Sequence, residues 1–468
     1  MSGVMTKAVV IGGLIAIPLG LVAGSGVIPR HLLVIAAVVA IGVYSIAVGI
    51  SKPEDRRWLP TLMLTALLVK LAGATLRHQI LFGVYEGEGD AVAYHQAGLQ
   101  VADTWRDFVV PSIESAGSGG FGTHFVSWLT GLIYAPFEPS SLGGFWIFAS
   151  FAFFGQMFMY AGFRTFTAPP AWRRYAILVF FWPTLIYWPS SLGKEALLIF
   201  LIGLATWATA RLYRQFKIAW LIPIGAAVGV AGLIRIHVAA LLVGAILAGM
   251  VFSRGPRGTA AGFRRIALVA LGLAAMFPLV LGVAQQFGVS FEGGFSLEDL
   301  DPAFSDIETR TQTGGSAVTD TGAIRSPADV PGAILKVLFR PLPNEVANLQ
   351  TALAAFEGVL LMGLLFWRGP QIFKNFRRVM VWPYLMMSAI YTVGFVFAWS
   401  AINNLGIMTR QRSLLLPILF AFIVGLGWSD SIEDPSPPDL RRRLMAPGNR
   451  ANGASATPRR ANRTVSVS

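Results

Sequence analysis

Long apolar segments separated by short polar connections recur along this chain. About twelve of them have the length, roughly 20 residues, that an α-helix needs to cross about 30 Å of hydrocarbon. The predicted spans lie near 8–28, 32–50, 60–77, 143–163, 174–190, 194–212, 218–234, 238–253, 266–284, 351–367, 380–399 and 413–428. Their apolar residues do not alternate with polar ones, which favours helices over a β-barrel. We therefore predict an all-α, polytopic transmembrane helical bundle.

The composition excludes a single water-soluble core. Of the 468 residues, 54% are hydrophobic and only 13% are charged, whereas soluble domains have roughly 25% charged residues. Cysteine is absent, which excludes disulfides, thiolate metal sites and a cysteine nucleophile. We predict one transmembrane catalytic domain over 1–428 and a disordered cytoplasmic tail over 429–468, because the tail is rich in Pro, Ser, Asn and Arg.

The formal net charge of +13 is concentrated in short connections and in the tail, so nucleic acid is not an expected partner. Five connections carry basic residues, and all five fall on one side of the predicted topology. The positive-inside rule makes that side cytoplasmic. It places both termini inside a plasma or inner cell membrane and two long loops, 78–124 and 285–350, outside.

The first outer loop contains an acidic motif, YEGEGDAVAYHQAG, with Glu88, Asp90 and His95. A carboxylate here can act as general base toward a sugar hydroxyl, and with its neighbours it can bind a divalent cation. The plainer interpretation is a solvated loop in which Asp90 caps the following helix. Segment 91–108 has the spacing of an amphipathic interfacial helix, and 125–137 is apolar but too short to span comfortably.

Lys194 and Glu195 occur in YWPSSLGKEALLIF, in the first turn of a helix that enters the membrane from outside. Free amides, the helix dipole and an ammonium group together form an anion site of the kind that binds phosphate. Alternatively, the two side chains only mark the interface by snorkelling.

Further charged residues are predicted at the outer ends of spans, against the positive-inside bias. Outward-facing cations suit a phosphate or pyrophosphate headgroup, although contact with lipid headgroups or with outer acids would also explain them. These candidates are Arg235 and His237 in LIRIHVAALL, Arg340 and Glu345 in FRPLPNE, and Arg410 and Arg412 in NNLGIMTRQRS.

Lys70 and Glu357 lie inside predicted spans, where a lone charge costs about 2.5 to 3.5 kcal/mol. We expect them to pair with each other rather than to form an ion relay. The sequence has no Walker loop, dinucleotide fingerprint, GxSxG elbow or HExxH zinc helix, so an ATP-driven pump or a soluble-type hydrolase is unsupported.

The spans followed by GDAVAYHQAG, an interfacial helix and GTHFVSWLTGLIYAPF resemble the GT-C superfamily of polyprenyl-phosphate-dependent membrane glycosyltransferases over about 60–240. The resemblance implies that Asp90, or Glu88, is the catalytic base or a metal contact. Two extra spans before the loop and the lack of a large soluble C-terminal domain depart from the simplest GT-C pattern. PSSLGKEALL, LIRIHVAALL and NNLGIMTRQRS resemble segments of bacterial exopolysaccharide and O-antigen polymerases, which implies Arg residues that hold lipid-linked phosphates.

The resulting hypothesis is glycosyl transfer from a polyprenyl-phosphate-linked donor to a saccharide or lipid acceptor at the outer membrane face. Asp90, aided by His95 or His237, would deprotonate the acceptor. Lys194, Arg235, Arg340, Arg410 or Arg412 would stabilise the leaving phosphate. A flippase or carrier for lipid-linked saccharides or other anions is the main alternative, and a structural membrane scaffold is a third.

Overall fold

The described part of the chain is helical. The computed structural model describes residues 30–117, 120–136, 139–252, 259–287, 300–312, 317, 323–346 and 348–425. The predicted first span, 8–28, and the predicted tail, 429–468, lie outside the described residues, as do parts of the predicted loop 285–350.

The helices follow one another with short connections, and we number them in chain order. The first eight are α1 (Arg30–Ile50), α2 (Leu59–Gly83), α3 (Asp90–Arg106), α4 (Phe121–Tyr134), α5 (Ser141–Phe163), α6 (Pro169–Phe181), α7 (Pro183–Tyr187) and α8 (Lys194–Arg214). The next five are α9 (Leu221–Ile234), α10 (Ile236–Phe252), α11 (Thr259–Phe287), α12 (Asp301–Thr311) and α13 (Val330–Phe339). The last four are α14 (Leu349–Trp367), α15 (Gly369–Arg378), α16 (Pro383–Trp399) and α17 (Leu405–Val424).

Seven of the described helices are long and apolar enough to cross a membrane, or eight if the bent pair α15–α16 is one span. The all-helical membrane fold is thus supported, while the expected number of about twelve spans is not confirmed. The predicted spans 218–234 and 238–253 form helices of only 14 and 17 residues that meet at Arg235. The predicted span 174–190 is interrupted before Pro183, because proline lacks the amide proton that a continuous helix needs.

The helices divide into a buried centre and a lipid-facing periphery. In α17, 89% of the most apolar window is buried, whereas the corresponding window of α11 has no buried residue although its mean hydropathy is 2.5. An apolar helix whose side chains face outward is stable only in an apolar solvent. This pattern is typical of a bundle in hydrocarbon.

Small residues let the central helices α5 and α8 approach each other closely. A side chain at Gly203 would collide with the backbone of Gly155, and a side chain at Gly155 would collide with the backbone of Ile199. Close approach of this kind drives helix association in membranes, where burial of apolar surface gives little gain.

A helical hairpin, α3 packed on α4, begins in the segment predicted as the first outer loop and extends beyond its predicted end at 124. Gly98 lies against Thr130, and Gly131 lies against Val101, so each helix presents a glycine to the other. Tyr94 is among the residues that α3 buries. The predicted amphipathic helix over 91–108 is therefore confirmed as a helix, and the short apolar segment 125–137 falls largely within α4.

Several basic residues gather at one end of the bundle. Lys52 lies close enough to Arg164 and Arg214 for mutual repulsion. The buried Asp55 compensates part of this charge, because its carboxylate lies 3.1 Å from Nη2 of Arg164. Since α8 runs from Lys194 to Arg214, its two ends lie about 30 Å apart. The residues at the start of α8 therefore belong to the opposite end of the bundle.

Candidate functional site

Glu195, in the first turn of α8, is the centre of the candidate site. Its side chain is buried, with an exposed fraction of 3%. Its Oε2 lies 2.8 Å from Nη2 of Arg410, and its Oε1 accepts hydrogen bonds from Nη2 of Arg235 at 2.9 Å and from Nε2 of Gln411 at 3.2 Å. One carboxylate thus joins α8, α17 and the junction between α9 and α10.

Asp90, the first residue of α3, is bound to the same arginine. Its Oδ2 lies 3.1 Å from Nη1 of Arg410, and 65% of its side chain is exposed. The backbone reaches this position through a turn with positive φ at Glu86 and at Gly87, where φ is +82°. Gly87 accommodates its positive φ without strain. Arg410 therefore connects an exposed carboxylate to a buried one.

Lys194 is held at the edge of the site by the α3–α4 hairpin. Its Nζ donates a hydrogen bond of 2.9 Å to the hydroxyl oxygen of Thr123 in α4. Thr123 also forms a hydrogen bond with the side chain of Tyr94 in α3. Burial raises the pKa of Tyr94 to about 12, so the Tyr94 hydroxyl keeps its proton at neutral pH. The hairpin thereby covers the start of α8.

Arg77 in α2 is a site residue that the sequence analysis did not select. It lies close enough to Arg410, Glu195 and Asp90 to interact electrostatically with each of them. The sequence does contain a signal for this residue. Arg77 stands at the predicted outer end of a span, where the positive-inside bias makes a basic residue unusual, as it does for Arg235.

These side chains form a net positive environment. We call Arg77, Lys194, Arg235 and Arg410 the cation cluster. Glu195 and Asp90 neutralise two of its four charges, which leaves a formal charge of +2. An excess of cations at a partly buried position favours an anionic ligand.

A cleft of about 230 Å³ opens beside the cluster. Asp90, Arg77 and Arg410 line it together with Glu88 and with the aromatic side chains of Tyr187 and Trp188. We call it the Asp90 cleft. Glu88 is exposed, so its carboxylate adds negative charge at the surface rather than within the cluster.

Three of the predicted phosphate-site residues have other partners. Arg412 was expected at the outer end of a span, but it is fully buried inside α17 and donates to the backbone carbonyls of Val337 and Arg340. Nε of Arg340 donates to Oε1 of Glu345 at 2.8 Å. Burial alone would raise the pKa of Glu345, but hydrogen bonds from Arg340 and from the Leu342 amide hold it below its usual value.

The position of Arg412 has a physical cause. The predicted last span began at 413, whereas α17 begins at Leu405, because the side chain of Asn404 accepts a hydrogen bond of 3.0 Å from the amide of Ile407 and caps the helix there. Arg410 and Arg412 therefore both lie within a helix, and two residues apart they face different directions.

The two candidate histidines contact aromatic residues. Nδ1 of His95 lies 3.1 Å from the hydroxyl of Tyr134, and burial lowers the pKa of His95. The ring of His237 lies 5.3 Å from that of Trp399 and lines a separate apolar cavity of about 300 Å³. A proton transfer between either histidine and Asp90 is not favoured by these contacts.

The expected pair of Lys70 and Glu357 is not formed. Nζ of Lys70 donates to the carbonyl of Leu185, while Oε2 of Glu357 accepts from the amide and the hydroxyl of Thr184, at 2.9 and 2.6 Å. Both side chains therefore satisfy backbone groups of the short helix α7. The correction is that they bind one interrupted helix rather than each other.

Comparison with known proteins does not assign this site to a family. No protein-family model, curated protein or solved structure matches the chain. In the described part of the chain, no group of three or more acidic or histidine side chains is placed to hold a metal ion.

Proposed function

We propose that this protein is an integral membrane glycosyltransferase or polysaccharide polymerase that uses a polyprenyl-phosphate-linked donor at the outer face of a plasma or inner membrane. The observation that carries the proposal is the pairing of the exposed Asp90 carboxylate with Arg410 beside a cluster of excess positive charge. A group that can accept a proton and groups that can hold a phosphate thus line one cleft.

The distribution of basic residues supports an exterior position for this cleft. The site and the basic end of the bundle lie at opposite ends of α8, about 30 Å apart. Because the positive-inside rule assigns the basic end to the cytoplasm, the Asp90 cleft faces the exterior. The charged end of a lipid-linked saccharide exposed on that face lies at the same depth.

The proposed reaction is a single displacement at the anomeric carbon of the donor sugar. The acceptor oxygen forms the new glycosidic bond, and the bond between the anomeric carbon and the phosphate oxygen breaks. The acceptor proton goes to Asp90, and the electron pair leaves with the phosphate. Arg410 and the other cations of the cluster stabilise the negative charge that develops there.

One observation also favours a carrier or flippase. In the free site the Asp90 carboxylate is bound to Arg410, so this oxygen is not free to accept a proton from an acceptor hydroxyl. A carrier needs only the cations, because it moves its cargo without breaking a bond.

The two functions are separated by incubating the purified protein in detergent with a labelled isoprenyl-diphosphate-linked saccharide and an acceptor saccharide. The enzyme proposal predicts a new glycosidic bond that mass spectrometry detects, together with release of the isoprenyl diphosphate. The carrier would be supported instead if the intact donor crosses the membrane of proteoliposomes and no glycosidic bond forms in detergent or in proteoliposomes.

A further inference from the structure

The four cations of the cluster differ in how well their charge is compensated. Arg235 and Arg410 both form ion pairs with Glu195, and Arg410 also pairs with Asp90. Two cations of the cluster, Arg235 and Arg410, are thus paired directly with carboxylates, whereas Arg77 and Lys194 have no carboxylate within ion-pair distance in the described part of the chain.

Arg77 is held in place by aromatic rings rather than by a counter-ion. Its guanidinium carbon lies 5.0 Å from the ring centre of Tyr187 and 4.7 Å from that of Trp188. Nη1 also donates a hydrogen bond of 3.4 Å to the carbonyl of Tyr187. The aromatic faces attract the cation, but they do not neutralise it.

The aromatic support is itself fixed by neighbouring helices. The hydroxyl of Tyr187 accepts a hydrogen bond of 2.9 Å from Nε2 of Gln350 in α14. The two rings pack edge to face with centres 5.2 Å apart. Lys70 and Glu357 bind α7 at Leu185 and Thr184, and these contacts help to hold the rings on which the Arg77 side chain rests.

The size of the Asp90 cleft limits what can lie against Arg77. Its volume of about 230 Å³ is below the range of about 300 to 1,000 Å³ that is usual for pockets of drug-sized ligands. A phosphate or diphosphate group is small enough, while a saccharide or a lipid chain must extend out of the cleft. The guanidinium also offers the paired donors that match two phosphate oxygens.

We propose that Arg77, supported by Tyr187 and Trp188, is the primary binding residue for a phosphate or diphosphate group in the Asp90 cleft, and that this ligand also engages Arg410 and thereby releases Asp90. The identification of the ligand as the headgroup of a lipid rests on the proposed function. The consequence for the reaction is that the Asp90 carboxylate is free to approach an acceptor hydroxyl only when the donor phosphate is bound.

The experiment measures binding, not turnover, so that its failure is distinct from failure of the proposed function. The full-length protein in a non-ionic detergent is titrated with farnesyl diphosphate, inorganic pyrophosphate and farnesol by isothermal calorimetry. We expect farnesyl diphosphate to bind and farnesol to bind at least tenfold more weakly. If inorganic pyrophosphate binds as tightly as farnesyl diphosphate, the site takes a free anion and the lipid assignment is wrong.

Variants decide whether Arg77 is responsible. Arg77→Ala and Arg77→Lys should each weaken farnesyl diphosphate binding at least tenfold, since a lysine keeps the charge but lacks the flat guanidinium that the rings support. Arg310→Ala is the matched control, because Arg310 is exposed and pairs with Asp306 outside the cleft. The lysine variant keeps the test valid should the alanine variant fold poorly.

Two results would overturn the inference. One is unchanged affinity in a folded Arg77→Lys or Arg77→Ala variant, and the other is no binding of either diphosphate by the wild-type protein. If the wild-type protein binds farnesyl diphosphate through Arg77 but catalyses no glycosyl transfer, only the enzyme proposal is contradicted.

Discussion

Arg410 donates a hydrogen bond of 3.1 Å to Asp90, a residue 320 positions earlier in the chain. The contact exists because the second turn of α17 packs beside the start of α8, where Glu195 binds the other Nη atom of the same guanidinium. Removing Glu195 therefore removes the anchor that holds Arg410 in reach of Asp90.

Glu195→Ala should destabilise the protein strongly. The change removes the carboxylate partner of the partly buried Arg235 and one of the two partners of Arg410, and breaking a buried ion pair costs about 3 to 5 kcal/mol. We expect a lower midpoint of thermal unfolding in detergent, measured by intrinsic fluorescence. Asp306→Ala removes an exposed pair with Arg310 and should cost no more than about 1 kcal/mol. Equal midpoints for the two variants would show that Glu195 is not an anchor.

Contact between α5 and α8 should tolerate no side chain at Gly203. Gly203→Leu places atoms where the backbone of Gly155 lies, so the helices must separate. We expect loss of the monodisperse peak in size-exclusion chromatography. Gly229→Leu is the control, since nothing lies within 4 Å of a β-carbon at that position. Similar elution of both variants would argue against close packing of α5 and α8.

Glu357 should influence the Asp90 cleft without contacting its ligand. In Glu357→Gln, the amide group replaces one acceptor oxygen next to the donors of Trp182 and Thr184, so α7 loses part of its attachment. Weaker farnesyl diphosphate binding and a lower unfolding midpoint are expected. Met362→Leu, an exposed change on the same helix, should alter neither. Unchanged affinity of Glu357→Gln for farnesyl diphosphate would show that the attachment of α7 does not influence binding in the Asp90 cleft.

Acid should destabilise the protein in part through His95. Burial lowers the pKa of His95 below its ordinary value of 6.5, so the unfolded chain binds the proton more readily. Stability from this residue is complete above about pH 6.5 and falls as the pH drops below it. The unfolding midpoint of His95→Gln should therefore change less between pH 7.5 and pH 5.5 than that of the wild type. An equal change in both proteins would contradict this.

The long helices of the bundle followed from apolar length, but not every interruption did. Periodicity identified α2, α5, α8 and α14, because each is a long apolar run. It also separated α9 from α10 at Arg235, but it did not predict the break before Pro183 or the pairing of Arg235 with Glu195. Pairing across 40 positions leaves no mark in local composition.

The sequence likewise predicted only part of the candidate site. The fold brings together Asp90, Lys194, Arg235 and Arg410. Asp90 was selected for the acidic motif of the first outer loop and Lys194 for its place in the first turn of a helix. Arg235 and Arg410 were selected because cations at the predicted outer ends of spans are unusual. Arg412 met the same criterion and is instead buried in α17, where only the packing of α13 provides its acceptors.

The role of Asp90 is tested most directly by the rate of glycosyl transfer in Asp90→Asn, with Asp103→Asn, an exposed change on the same helix, as control. Both proteins are incubated with a labelled isoprenyl-diphosphate-linked saccharide, and the new glycosidic bond is quantified by mass spectrometry. We predict that Asp90→Asn retains farnesyl diphosphate binding but loses transfer at least 100-fold, in line with the typical contribution of about 10² to 10⁴ from a general base. Transfer at the rate of the Asp103→Asn control would contradict the account.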